Sequence, residues 1–166
     1  MQRGFTIIEV LVALVILLVG IVAVAQLVPA SISLNSENRK ESQELVFAQR
    51  EMEQFIEQPL SSVSFIDSLG NTCPLGDPTL PGQQVGSPIV PVGGMMVEDF
   101  SQPANAAYSF VAVDPSTQLP FETRWTVITS IGAGGAVGSK RILIGVRARS
   151  ATNIFPPVTL DTIVSR

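Results

Sequence analysis

Residues 5–28 read Phe-Thr-Ile-Ile-Glu-Val-Leu-Val-Ala-Leu-Val-Ile-Leu-Leu-Val-Gly-Ile-Val-Ala-Val-Ala-Gln-Leu-Val, an apolar run that starts almost at the N-terminus and carries one charge, Glu9. No other feature of the chain constrains its fold so strongly. A helix over this run would rise about 36 Å, enough to cross a hydrocarbon core of ~30 Å. The stretch from Val10 to Val28 has no charge and is dominated by Leu, Ile, Val and Ala, which suits a lipid-facing or buried helix. Gly20 within it allows neighbouring helices to approach closely. A carboxylate inside a membrane-length helix is costly, so Glu9 calls for a partner. The leader Met1-Gln2-Arg3-Gly4 is basic, and the remaining acidic residues lie beyond the run. That asymmetry predicts a cytoplasmic N-terminus, with the rest of the chain across the membrane.

Two plainer readings compete. A removable secretory signal is one, because Ala23-Val24-Ala25 fits a small-residue cleavage pattern; the run is longer than an ordinary signal core of about 7–15 residues and contains an acid. A generic single-span anchor is the other, with Glu9 placed near the helix start where head groups and water lower the cost of its charge.

The segment Gly4-Phe5-Thr6-Ile7-Ile8-Glu9-Val10-Leu11-Val12-Ala13-Leu14 resembles the N-terminal signature of type IV prepilins and type II secretion pseudopilins. The signature is a Gly, a Phe, an acid at the fifth position of the mature chain and an unbroken apolar helix, and the likeness covers about the first thirty residues. It implies cleavage between Gly4 and Phe5 by prepilin peptidase, N-methylation of the new amine on Phe5, and Glu9 as the carboxylate that guides subunit assembly. Physics gives Glu9 a matching role: opposite charges attract far more strongly at low dielectric than in water, and an unpaired buried charge is penalised. Pairing Glu9 with the N-terminal amine of a neighbouring subunit would set the axial register of a fibre. Many family members carry a helix-kinking Pro near the membrane exit; here Pro29 falls slightly later, which predicts a shifted kink or a break.

Beyond the anchor, residues 29–58 are expected to continue as an amphipathic helix. Glu37, Arg39, Lys40, Glu41, Glu44, Arg50, Glu51, Glu53 and Glu57 are assigned to its polar side, and Leu45, Ala48, Met52, Phe55 and Ile56 to its apolar face. Pro59 stops it. Residues 59–105 are punctuated by Pro and Gly and read as irregular, a long loop region of the kind that often carries partner contacts. Residues 109–166 read as an antiparallel sheet. Ser109–Val113 is a short strand. In 121–131, Phe121, Thr123, Trp125, Val127, Thr129 and Ile131 alternate with Glu122, Arg124, Thr126 and Ser130, and Ile142, Ile144, Val146 and Ala148 alternate with Arg141, Arg147 and Arg149. Val158–Val164 closes the sheet. The expected fold is α+β and pilin-like: a long N-terminal transmembrane helix whose C-terminal half packs on a small antiparallel sheet. The domain plan is leader 1–4, assembly helix 5–28, amphipathic extension 29–58 and globular head 59–166. The Trp-bearing strand, the basic alternating strand and the closing Val-Thr-Leu-Asp-Thr-Ile-Val-Ser-Arg tail resemble minor pilins of the PilV kind and minor pseudopilins of the GspI kind.

The chemistry-bearing residues exclude most other classes. A net charge of -4 is not the basic field that nucleic-acid binding wants, and Lys140, Arg141, Arg147 and Arg149 read as exposed charges along a strand. With no His in the chain, neither a Ser-His nor a Cys-His catalytic pair can form. The single Cys73 cannot close an internal disulfide and reads as a small packed or partly exposed residue rather than a nucleophile, since no His is present to activate it. The Gly-rich 132–139 segment leads into a strand rather than opening a helix, which argues against a phosphate cradle. Glu98-Asp99 could bind a cation, calcium being used by several pseudopilins, but the ligands are too few. No enzyme activity, cofactor or metal is expected.

The sequence thus predicts a structural subunit, a minor pilin of a type IV pilus-like filament. Its partners would be other pilin or pseudopilin subunits, prepilin peptidase, an inner-membrane assembly platform and lipid. Its location would be the inner membrane, with the head periplasmic, and then the filament. A type II secretion minor pseudopilin and a non-polymerising membrane-tethered binding module are the alternatives.

Overall fold

The computed structural model describes residues 6–149 and 156–165. It contains one long helix, α1 (Ile7–Ile56), followed by nine strands. The chain divides into two compact units, one ending at Arg39 and the other covering Lys40–Arg166.

In the first unit every described residue is exposed, including Leu11, Ile16, Leu17, Ile21, Leu27 and Ile32. Burying such side chains is worth about 1.5–3 kcal/mol each, so this helix needs lipid or other helices around it. By length and composition it is able to cross a membrane. Pro29 lies inside α1 and does not end it; the helix continues unbroken to Ile56.

The second unit holds the core. Its main sheet has five strands: β3 (Gln84–Gly86), β6 (Ser109–Val113), β7 (Pro120–Ile131), β8 (Val137–Ala148) and β9 (Val158–Ser165). All neighbours are antiparallel. Strands β7 and β8 pair over almost their whole length, from Phe121 opposite Ala148 to Ser130 opposite Ser139. On its other edge β7 is shared, pairing with β6 through Pro120–Arg124 and with β3 through Thr126–Ile128. Strand β9 closes the far edge of β8. This is the α+β arrangement expected, with the last turns of α1 on the inner face of the sheet. Phe47 stacks on Phe121 at 4.8 Å, and Phe55 meets Trp125 edge-on at 5.7 Å. Ala48, Met52, Val127, Ile142, Ile144 and Val146 complete the contact.

Three readings need correction. The buried face of α1 carries Glu44, Phe47, Ala48, Glu51, Met52 and Phe55, so Glu44 and Glu51 belong to the core face rather than the polar side. Leu45 and Ile56 are instead 39% and 40% exposed. Residues 59–105 fold into five short strands: the hairpin of β1 (Ser64–Ile66) and β2 (Thr72–Pro74), the sheet strand β3, and the hairpin of β4 (Ile89–Val92) and β5 (Met95–Glu98). The β4–β5 turn is Gly93-Gly94, both at positive φ, the backbone that two-residue hairpin loops require. Finally, the outer face of the sheet is covered too. Glu122, Arg124, Thr126 and Leu143 are all buried, because β5 lies against β7 and β8 on that side.

Candidate assembly site and the buried charges of the head

The predicted assembly residues lie at the start of α1. The Thr6 carbonyl accepts the backbone N–H groups of Glu9 (3.1 Å) and Val10 (3.3 Å), opening the helix. Glu9 sits in the first turn and is exposed. There the unpaired N–H groups of the helix end favour a negative charge. Among the described residues Glu9 makes no ion pair. Gly4 and Phe5, the predicted cleavage and methylation positions, lie outside the described residues.

The head carries an ionisable set that sequence reasoning missed. On the inner face, one Glu44 carboxylate oxygen accepts the Ala148 N–H at 2.8 Å. Burial pushes its carboxyl up, against the pull of that bond. Glu51 is pushed up to about 7, first by burial and then by the Asp67 charge, against Arg50 at 3.5 Å. Lys140 is 2% exposed and donates to the Ser62 carbonyl at 2.7 Å. It shares its strand face with Ile142 and Ile144, so it is not one of a row of exposed charges. Arg141, by contrast, lies on the other face and holds Asp161 through both oxygens.

On the outer face, Glu122 accepts Arg124 (2.7 and 2.8 Å) and Arg147 (2.9 Å). Burial opposes its ionisation, but these bonds outweigh it and hold the carboxyl below its usual range. Arg124 also donates to the Asp99 and Gln102 carbonyls, both at 2.8 Å. Arg124 and Arg147 each lie over the Phe100 ring, 4.5 and 4.8 Å from its centre.

The other chemical candidates do not assemble. Glu98 is buried while Asp99 is partly exposed and turned to Ser101, so the pair does not converge on a cation. Among the described residues no group of three or more His, Cys, Asp or Glu side chains could hold a metal ion. The Cys73 thiol is buried and pushed up to about 12, by burial first and then by Asp67 and Glu51; a thiol so rarely ionised is inert. The Gly-rich segment after β7 makes one short 3-10 turn, Ala133–Gly135, and enters β8. The signal for Glu44 and Glu51 was present in their spacing: positions 44, 48, 51 and 55 recur at four, three and four residues, which places them on one helix face.

Residues 1–25 match the family model described as the prokaryotic N-terminal methylation motif. The chain therefore carries the signature of type IV prepilins and pseudopilins, joined to a helix long and apolar enough to span a membrane. No curated protein and no solved structure matches it.

Proposed function

We propose that this chain is a structural subunit, a minor pilin of a type IV pilus-like filament, rather than an enzyme. One observation carries the reading: the methylation motif at residues 1–25 runs into an apolar helix that buries none of its side chains before Lys40. Such a helix is built to leave lipid for the company of other helices. Prepilin peptidase cuts after Gly4 and methylates Phe5, and the assembly platform in the inner membrane draws the subunit into the fibre. The N-terminus is cytoplasmic before cleavage and the head periplasmic. Glu9 pairs with the N-terminal amine of an adjoining subunit, an attraction strong at low dielectric and one that fixes the axial position of each helix. A type II secretion pseudopilin shares the same motif and the same steps.

The test is the intact mass and N-terminal sequence of the protein from native membranes, followed by Glu9→Ala. A chain beginning at N-methyl-Phe5, with the variant inserted and cleaved but absent from sheared filaments, is the expected result. An uncut Met1, or a Glu9→Ala protein that enters filaments as the parent does, would overturn the proposal in favour of a simple membrane tether.

A further inference from the structure

The outer face of the sheet is roofed by the end of β5 and the segment after it, and the roof is pinned at an unusual point. Glu98, the last residue of β5, is 1% exposed. Neither of its carboxyl oxygens has a hydrogen-bond partner among the described residues. Its stem lies flat on β8 over Gly145: a Cβ built there would sit 2.6 Å from the Glu98 Cβ and 2.9 Å from the Phe100 ring. Glycine inside a strand weakens it and often marks such a close approach. The rest of the roof is held by Arg124, which takes the Asp99 and Gln102 carbonyls, and by Phe100 beneath Arg124 and Arg147.

The groups facing Glu98 only partly offset its burial: Thr126 and the Arg124 charge favour the ionised form, yet both are engaged elsewhere. Strand β4 carries no ionisable side chain. Strand β7 presents Thr126, whose hydroxyl donates to the Ser87 carbonyl at 2.8 Å, and Arg124, committed to Glu122 and the roof carbonyls. Strand β8 presents Gly145 between Leu143 and Arg147, and Arg147 is bound to Glu122. Within the roof itself, Asp99 adds a negative charge next in sequence and accepts from Ser101. Burial outweighs the pull of Thr126 and Arg124 and pushes Glu98 up to about 8.

We propose that residues 98–102 form a proton-linked clasp: it opens with loss of one proton from Glu98, so that acid holds it on the sheet and rising pH releases it, baring Thr126, Leu143 and Arg124. The linkage sets the window. Glu98 in the open clasp ionises near its ordinary 4.5, and in the closed clasp near 8. Opening therefore grows about tenfold per pH unit between those values and levels off above 8.

The test is amide hydrogen exchange on the full chain in detergent micelles from pH 5 to 9, corrected for the intrinsic rate, in the parent and in Glu98→Gln. In the parent, protection of residues 98–102 should fall by about tenfold per unit up to pH 8 while the β7 and β8 amides hold. In the Gln variant it should be flat. Equal slopes in the two proteins, or a loss shared by the whole head, would overturn the clasp. A carboxyl-carbon NMR titration of the parent checks the same point without a variant: a Glu98 resonance titrating in the ordinary carboxylate range would overturn it as well.

Discussion

Glu51 offers the sharpest test of how the helix is seated on the sheet. Its side chain is fully buried on the α1 core face, with Asp67 raising and Arg50 lowering the cost of its charge. A carboxyl moved from 4.5 to about 7 carries a penalty, when ionised, of ~3 kcal/mol at about 1.4 kcal/mol per unit. The sign follows from proton counting. Between pH 4.5 and 7 the folded state holds a proton that the unfolded chain has lost, so stability falls as pH rises through that window and is constant with respect to this group above it. Glu51→Gln keeps the shape and an acceptor for the Gln54 amide at 3.3 Å, and it removes the charge. The variant should match the parent near pH 4.5 and exceed it by about 2–3 kcal/mol at pH 8. Urea unfolding of the full chain in mild detergent, followed by the fluorescence of the single Trp125, reads this directly. Glu44 and Glu98 also sit above their ordinary values and tilt both proteins alike, so the difference isolates Glu51. A gain at pH 8 below about 0.5 kcal/mol, or a gain equal at pH 5 and pH 8, would refute the reasoning, since an uncharged effect has no reason to follow the proton.

Substitutions at two further positions test the clasping contacts on either side of the sheet. Gly145→Ala should destabilise the head by about 1–3 kcal/mol through overpacking, because its new methyl meets the Glu98 stem at 2.6 Å; a thermal melt unchanged from the parent would show that the roof moves freely. Glu44→Leu should cost about 1–3 kcal/mol by leaving the buried Ala148 N–H without an acceptor, whereas Glu44→Gln, which can still accept that bond, should stay within about 0.5 kcal/mol of the parent in urea unfolding at pH 6; equal losses in the two would mean that the bond contributes little.

The parts of this chain that were legible in sequence are those whose signal is local. The apolar run that forms the first part of α1 is set by two dozen consecutive residues, and the alternation of Phe121, Trp125 and Val127, like that of Ile142, Ile144 and Val146, picks out the inner face of β7 and β8. The helix face of the head was misjudged for a specific reason. Sorting residues by polarity placed Leu45 and Ile56 inside and Glu44 and Glu51 outside, but rotation along the helix decides the matter. At 3.6 residues per turn, Glu44, Ala48, Glu51 and Phe55 must share a side, and the sheet then buries all four.

The outer face could not be read in the same way, because its burial is made by residues far away in sequence. Glu122, Arg124 and Thr126 have the composition of a solvated strand face, and only the return of residues 98–102 across them turns that face inward. One residue did carry the information. Gly145 interrupts the Ile-Leu-Ile-Gly-Val run of β8, where a side chain would have strengthened the sheet. Its absence leaves the groove that receives Glu98 and Phe100. A glycine that weakens a central strand, beside a neighbouring strand rich in polar residues, is the mark of a covered sheet face; the Pro- and Gly-punctuated stretch upstream, which looks like idle loop, supplies the cover.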